Sequence, residues 1–178
     1  GAQTLIVGAS IGGNPTGTQP LLLRAAGPSL APFGVASALA DPALSVFSGA
    51  SMIATNNDWA GDDAIARAAA QAGAFAFAAP ASRDAALLHA GLGTGGYSMQ
   101  VSAASGASGV ALAEIYDATT PGTFTPGSPR LVNLSARTQV GTGANLLIAG
   151  FALGGATSKT VLIRAVGPGL TPFGVTGL

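Results

Sequence analysis

The chain contains no cysteine, and of its 178 residues only seven are acidic and seven basic. The first absence removes disulfides, thiolate metal sites and cysteine nucleophiles together. The second removes the basic footprint that nucleic acid or an anionic membrane would demand, so neither is an expected partner. Long apolar runs are missing too. Residues 68–81 form the longest, but it is alanine-rich, interrupted by Gln71 and shorter than the roughly 20 residues of a spanning helix. No membrane insertion is expected, and no signal peptide is visible, although the chain opens abruptly inside a repeat, as a trimmed product would.

What the chain has in plenty is glycine, with 27 residues, alongside 11 prolines and no three-residue period. That composition predicts many turns between short strands. A formal net charge of zero with 48% apolar residues favours association, so the surface is expected to meet protein.

One stretch occurs twice. Leu22 to Val35 reads LLRAAGPSLAPFGV and Leu162 to Val175 reads LIRAVGPGLTPFGV, identical at ten of fourteen positions. The match continues upstream, from Gly1-Ala2, Leu5-Ile6, Gly8 and Gly12-Gly13 to Gly143-Ala144, Leu147-Ile148, Gly150 and Gly154-Gly155, with two extra residues in the first copy's turn. The chain therefore begins and ends on the same piece of a repeat about 140 residues long.

Between these ends the alternation of apolar and polar residues, broken by Gly, Pro and Asn clusters, predicts strands at 4–11, 21–26, 43–47, 51–55, 85–90, 96–103, 109–117 and 131–140. Each terminal copy reads as a β-hairpin. One short helix is expected near residues 63–72, with Asp62 or Asp63 as its cap. The segment 118–130, with three prolines, reads as a semi-rigid linker. The expected fold is all-β and mainly antiparallel, a β-sandwich of jelly-roll type carrying a duplicated hairpin at its termini. The expected division is a repeat lacking its first strand over 1–130, and the start of a second copy over 131–178 that completes this domain or a neighbouring subunit.

Several segments together carry a family resemblance: residues 131–137 (LVNLSAR), 140–151 (VGTGANLLIAGF), 162–168 (LIRAVGP), 39–42 (LADP), 53–59 (IATNNDW), 96–101 (GYSMQV) and 109–117 (GVALAEIYD). The chain resembles a tandem β-rich repeat of large secreted and cell-surface proteins of environmental bacteria. The resemblance implies an extracellular β-rich module, usually in tandem, of no established catalytic activity.

Candidate sites follow from residues that break the apolar pattern. Arg24 and Arg164 occupy equivalent places in apolar strands, and a buried charge needs a partner, for which Glu114 and Asp41 are the natural choices. Asp58, Asp62 and Asp63 form an acidic loop that could offer oxygen ligands to calcium. The spacing is not that of an EF-hand, because Ala60 and Arg67 fall on ligand positions, and capping explains the loop without a metal. Trp59 reads as an anchor rather than a sugar platform. Ser82, Asp84 and His89 are close in sequence only, which is not a catalytic triad. No enzyme is expected and no cofactor is implied. The expectation is a structural subunit that assembles head-to-tail into a filament or sheath with copies of itself, using Leu22, Leu23, Phe33, Leu162, Ile163 and Phe173 of the duplicated hairpins. A monomeric adhesion or carbohydrate-binding module is the alternative.

Overall fold

The computed structural model describes residues 4–143 and 146–175. Gly1-Ala2 and Ala144, which extend the internal match, lie outside the described residues, as do Gln3, Asn145 and positions 176–178. By contacts the chain divides into two units, with the boundary after Leu147.

The first unit is a two-layer antiparallel β-sandwich. Its strands are β1 (Leu5–Gly12), β2 (Thr18–Ala26), β3 (Pro42–Ser48), β4 (Ser51–Asn56), β5 (Ala85–Gly93), β6 (Gly95–Ala103), β7 (Leu112–Asp117) and β8 (Arg130–Arg137), with one α-helix, α1 (Asp63–Gln71), between β4 and β5. Five strands form one sheet in the order β4-β3-β6-β1-β8, and three form the other in the order β5-β2-β7. The inward residues are those the alternation selects: Ile11, Leu44, Val46, Met99 and Val101 from the first sheet meet Leu21, Leu23 and Ala25 from the second. The opposite face of the second sheet is covered as well, because Leu22 and Ala86 pack under Trp59, Ile65, Ala68 and Ala69. Strand β2 is thus buried on both faces, which explains its unbroken apolar run. Pro20 sits where the β2–β5 register shifts, between Gln19 and Leu21, the one place in a central strand where a missing N–H is tolerated.

The helix starts where its cap dictates. Asp62 Oδ1 accepts from the Ala64 and Ile65 amides at 2.7 and 3.1 Å, while Asp63 adds an acidic charge to the first turn.

The expected hairpin of the first copy is corrected. Strands β1 and β2 are not a hairpin: β1 pairs with β6 and β8 in one sheet, β2 with β5 and β7 in the other, and the turn at residues 13–17 arches between layers. Strand β8, which opens the second copy in sequence, pairs with β1 in the first unit, one of the two places expected for it, and the boundary by contacts falls after Leu147.

The second unit, described over 148–175, has no strand. The expected second hairpin is absent, although the local geometry of the first copy is reproduced. Gly155 has φ +114° where Gly13 has +108°. The 3₁₀ helix Pro168–Phe173 ends on Gly174, whose amide donates to Thr171 O at 3.0 Å, as Pro28–Phe33 ends on Gly34 donating to Ala31 O at 3.0 Å. Turns and caps are local and recur with the sequence. Strands need neighbours, and the chain has only one β5, β6 and β7 for two copies.

Candidate functional site: a buried arginine and an uncovered second copy

Arg24 extends from the outer face of β2 and is 1% exposed. The β2–β7 register sets it opposite Glu114, and its Nε lies 3.4 Å from Glu114 Oε2, an ion pair without hydrogen-bond alignment. Its guanidinium lies over two aromatic rings, with Cζ 4.6 Å from the Phe75 centroid and 4.2 Å from that of Phe77. Glu114 is held in turn by Tyr116, whose hydroxyl donates to Oε1 at 2.6 Å. Burial pushes the Arg24 pKa below its ordinary value, against the opposing pull of Glu114, Tyr116 and Asp84. Burial, the bond to Glu114 and that residue's charge push the Tyr116 pKa up to about 12. A cavity of about 110 Å³ opens beside this group, lined by Arg24, Trp59, Ile65, Ala69, Phe75 and Phe77.

The Arg24–Glu114 pairing is as the sequence predicts, but the other two members of the expected set are elsewhere. Asp41 Oδ2 accepts from Arg83 at 2.7 Å, and Arg83 is the partner that sequence reading missed. Arg164 is exposed and belongs to no ion pair among the described residues. Its strand has not formed, so nothing buries it.

A second group missed in the sequence is centred on Asp84, which is fully buried. Its carboxylate accepts from the Gly27 amide at 2.7 Å, from the Ser29 amide at 3.1 Å and from the Ser29 hydroxyl, tying the end of β2 to the start of β5. No local signal announces this, since the donors lie 55 and 57 residues away.

The remaining candidates have structural employment. Trp59 is largely buried, and its indole N–H donates to Ala79 O at 3.2 Å and Ser82 Oγ at 3.0 Å, so its ring is an anchor and no exposed platform. His89 Nδ1 accepts from the Gly91 amide at 3.3 Å. Ser82, Asp84 and His89 therefore engage three different partners and form no triad. Asp62 is spent on the helix cap, and among the described residues no group of three or more His, Asp or Glu is placed to hold a metal ion.

Of the six residues expected to form assembly contacts, Leu22 and Leu23 are corrected: they are core, 0% and 2% exposed. Their counterparts Leu162 and Ile163 are 86% and 74% exposed, and Phe173 is exposed like Phe33. Comparison with family models, with curated proteins and with solved structures finds no match. The class defined here is therefore that of the fold, a mostly antiparallel all-β sandwich.

Proposed function

We propose that the chain is a structural subunit that assembles head-to-tail with copies of itself, its second copy of the repeated segment serving as the donor. The observation that carries this reading is the contrast between equivalent residues, buried at Leu22 and Leu23 and open at Leu162 and Ile163. Nine large apolar side chains from Leu146 to Phe173 are exposed, and exposed apolar surface on this scale supports an interface. Each is worth roughly 1.5–3 kcal/mol on burial. Covering about half of them would offset the several kcal/mol of lost freedom that association costs. Donor and acceptor surfaces differ, so the contact is heterologous and yields an open filament unless it closes as a ring. A place outside the cell follows only from the resemblance to secreted tandem repeats.

The test is negative-stain electron microscopy with light scattering on the purified chain, with and without a calcium chelator. Regular filaments or rings that survive the chelator are expected. Dispersed 17.0 kDa particles at high concentration would overturn the reading.

A further inference from the structure

The second copy is a poor replacement for the first. Gln19, 1% exposed, corresponds to Lys159; Ala26, fully buried, to Val166; and Ser29, whose hydroxyl serves Asp84, to Gly169. Exchange of the copies would bury a lysine, overpack β2 and remove a donor from a buried carboxylate. It would also uncover as much apolar surface as it covers. The donor therefore needs an added place.

The sandwich offers one. On one flank β4 and β5 are the outer strands, and this side is bridged, since Asn56 Oδ1 accepts from the Ala86 amide at 3.0 Å and Asp84 O from the Trp59 amide at 2.9 Å. Because β5 packs against β3 and β4, β7 lies toward the β1–β8 end of the other sheet. On this flank β7 pairs only with β2 and β8 only with β1 among the described residues, so both sheets end in an open edge. Exposed Leu112 on β7 and Val132 and Leu134 on β8 lie along it. Two open edges in two layers suit an arch like β1–β2, which contributes one strand to each sheet.

We infer that this β7/β8 flank is the acceptor for the second copy of another chain, with Arg164 of the incoming chain set against Glu114. The inference rests on the head-to-tail reading and gives it a surface and a register. Residues 146–153 would extend the first sheet beyond β8, and 160–166 the second beyond β7. Side-chain alternation fixes the faces: Val161, Ile163 and Ala165 turn inward as Leu21, Leu23 and Ala25 do, and Arg164 falls on the outer face with Glu114 and Tyr116. Glu114 is suited to a second cation. Its Oε2 accepts no hydrogen bond, since Arg24 Nε stands 3.4 Å away out of alignment, so one acceptor position of the carboxylate is left.

The cysteine-free sequence permits a direct test by disulfide trapping. Chains carrying Ala113→Cys are mixed with chains carrying Ala165→Cys under mild oxidation, with Met52→Cys on β4 as the control for the opposite flank. A heterodimeric disulfide is expected for the first mixture and not for the control with Ala165→Cys. Arg164→Glu, at an exposed position that leaves the sandwich intact, is expected to weaken association at least tenfold, and Arg164→Lys much less. Filaments that form without the 113–165 cross-link, or unchanged by Arg164→Glu, would overturn this inference and leave head-to-tail assembly standing. Absence of any association would remove both. A cross-link forming within a doubly substituted chain at high dilution would mean that the flank takes its own chain's second copy, and would overturn docking between chains.

Discussion

Arg24 and Glu114 face each other across the β2–β7 register, 3.4 Å apart, on the side of the sheet that α1 and the Phe75–Phe77 segment cover. Removing one member leaves the other charge buried, which costs about 3–5 kcal/mol. Glu114→Ala is therefore expected to destabilise the sandwich by about 3 kcal/mol, because the two phenyl faces still partly stabilise the guanidinium. Urea denaturation, with an unchanged slope and a lower midpoint, checks it. A midpoint equal to the wild type would mean that the aromatic rings alone hold Arg24.

The described residues of the second unit, 148–175, form no strand, so a chain ending at Leu147 should keep its sandwich. Its stability is expected within about 0.5 kcal/mol of the full chain. Its tendency to associate should vanish. Circular dichroism and light scattering on the same samples separate the two effects, and a loss of β structure on truncation would show that residues 148–178 belong to the core.

Tyr116 sets an alkaline limit. Its phenol titrates near 12 in the folded chain and near ~10 when unfolded, so the folded state holds the proton more tightly. The stability from this group is complete below about pH 10 and is lost as pH rises through 12. Tyr116→Phe is expected to flatten the decline between those values in denaturation midpoints taken across the range. An equally steep decline in the variant would place the titrating group elsewhere.

Two equivalent glycines should respond differently to one methyl group. A Cβ on Gly27 would stand 2.1 Å from Leu39 O, whereas one on Gly167 meets nothing within 4 Å. Gly27→Ala is expected to cost about 1–3 kcal/mol or more by overpacking. Gly167→Ala should leave the sandwich's thermal midpoint where it was. Equal effects would mean that both copies sit in comparable surroundings.

These contrasts mark what was legible in the sequence. The strands at 43–47 and 51–55, an aspartate cap at 62 or 63 and the end of the helix are readable because each is written within a few residues. Arg24 and Glu114 stand out as charges in apolar strands, but only the β2–β7 register puts both on one face. The arch was not readable, because Gly12 to Gly17 turn the chain equally well between neighbours in a sheet or between layers. That choice is made by β6 and β8 on one side and β5 and β7 on the other, all distant in sequence. For the same reason Asp84 resembled any loop acid, and Asp41 was given an arginine from the wrong strand.

The first strand of the sandwich and its last are neighbours: β1 is flanked by β6 and by β8. Pairing across so much chain is slow to form, since the intervening loop must close before the contact exists. During synthesis β1 can meet β6 well before β8 has emerged, and the first sheet stays unfinished until residues 130–137 are made. The exposed remainder of the second copy, residues 146–166, follows β8 closely in sequence. Translation therefore delivers residues 146–166 only after the strand that completes the sheet, so β1 finds β8 before the exposed twin of its own segment has been made.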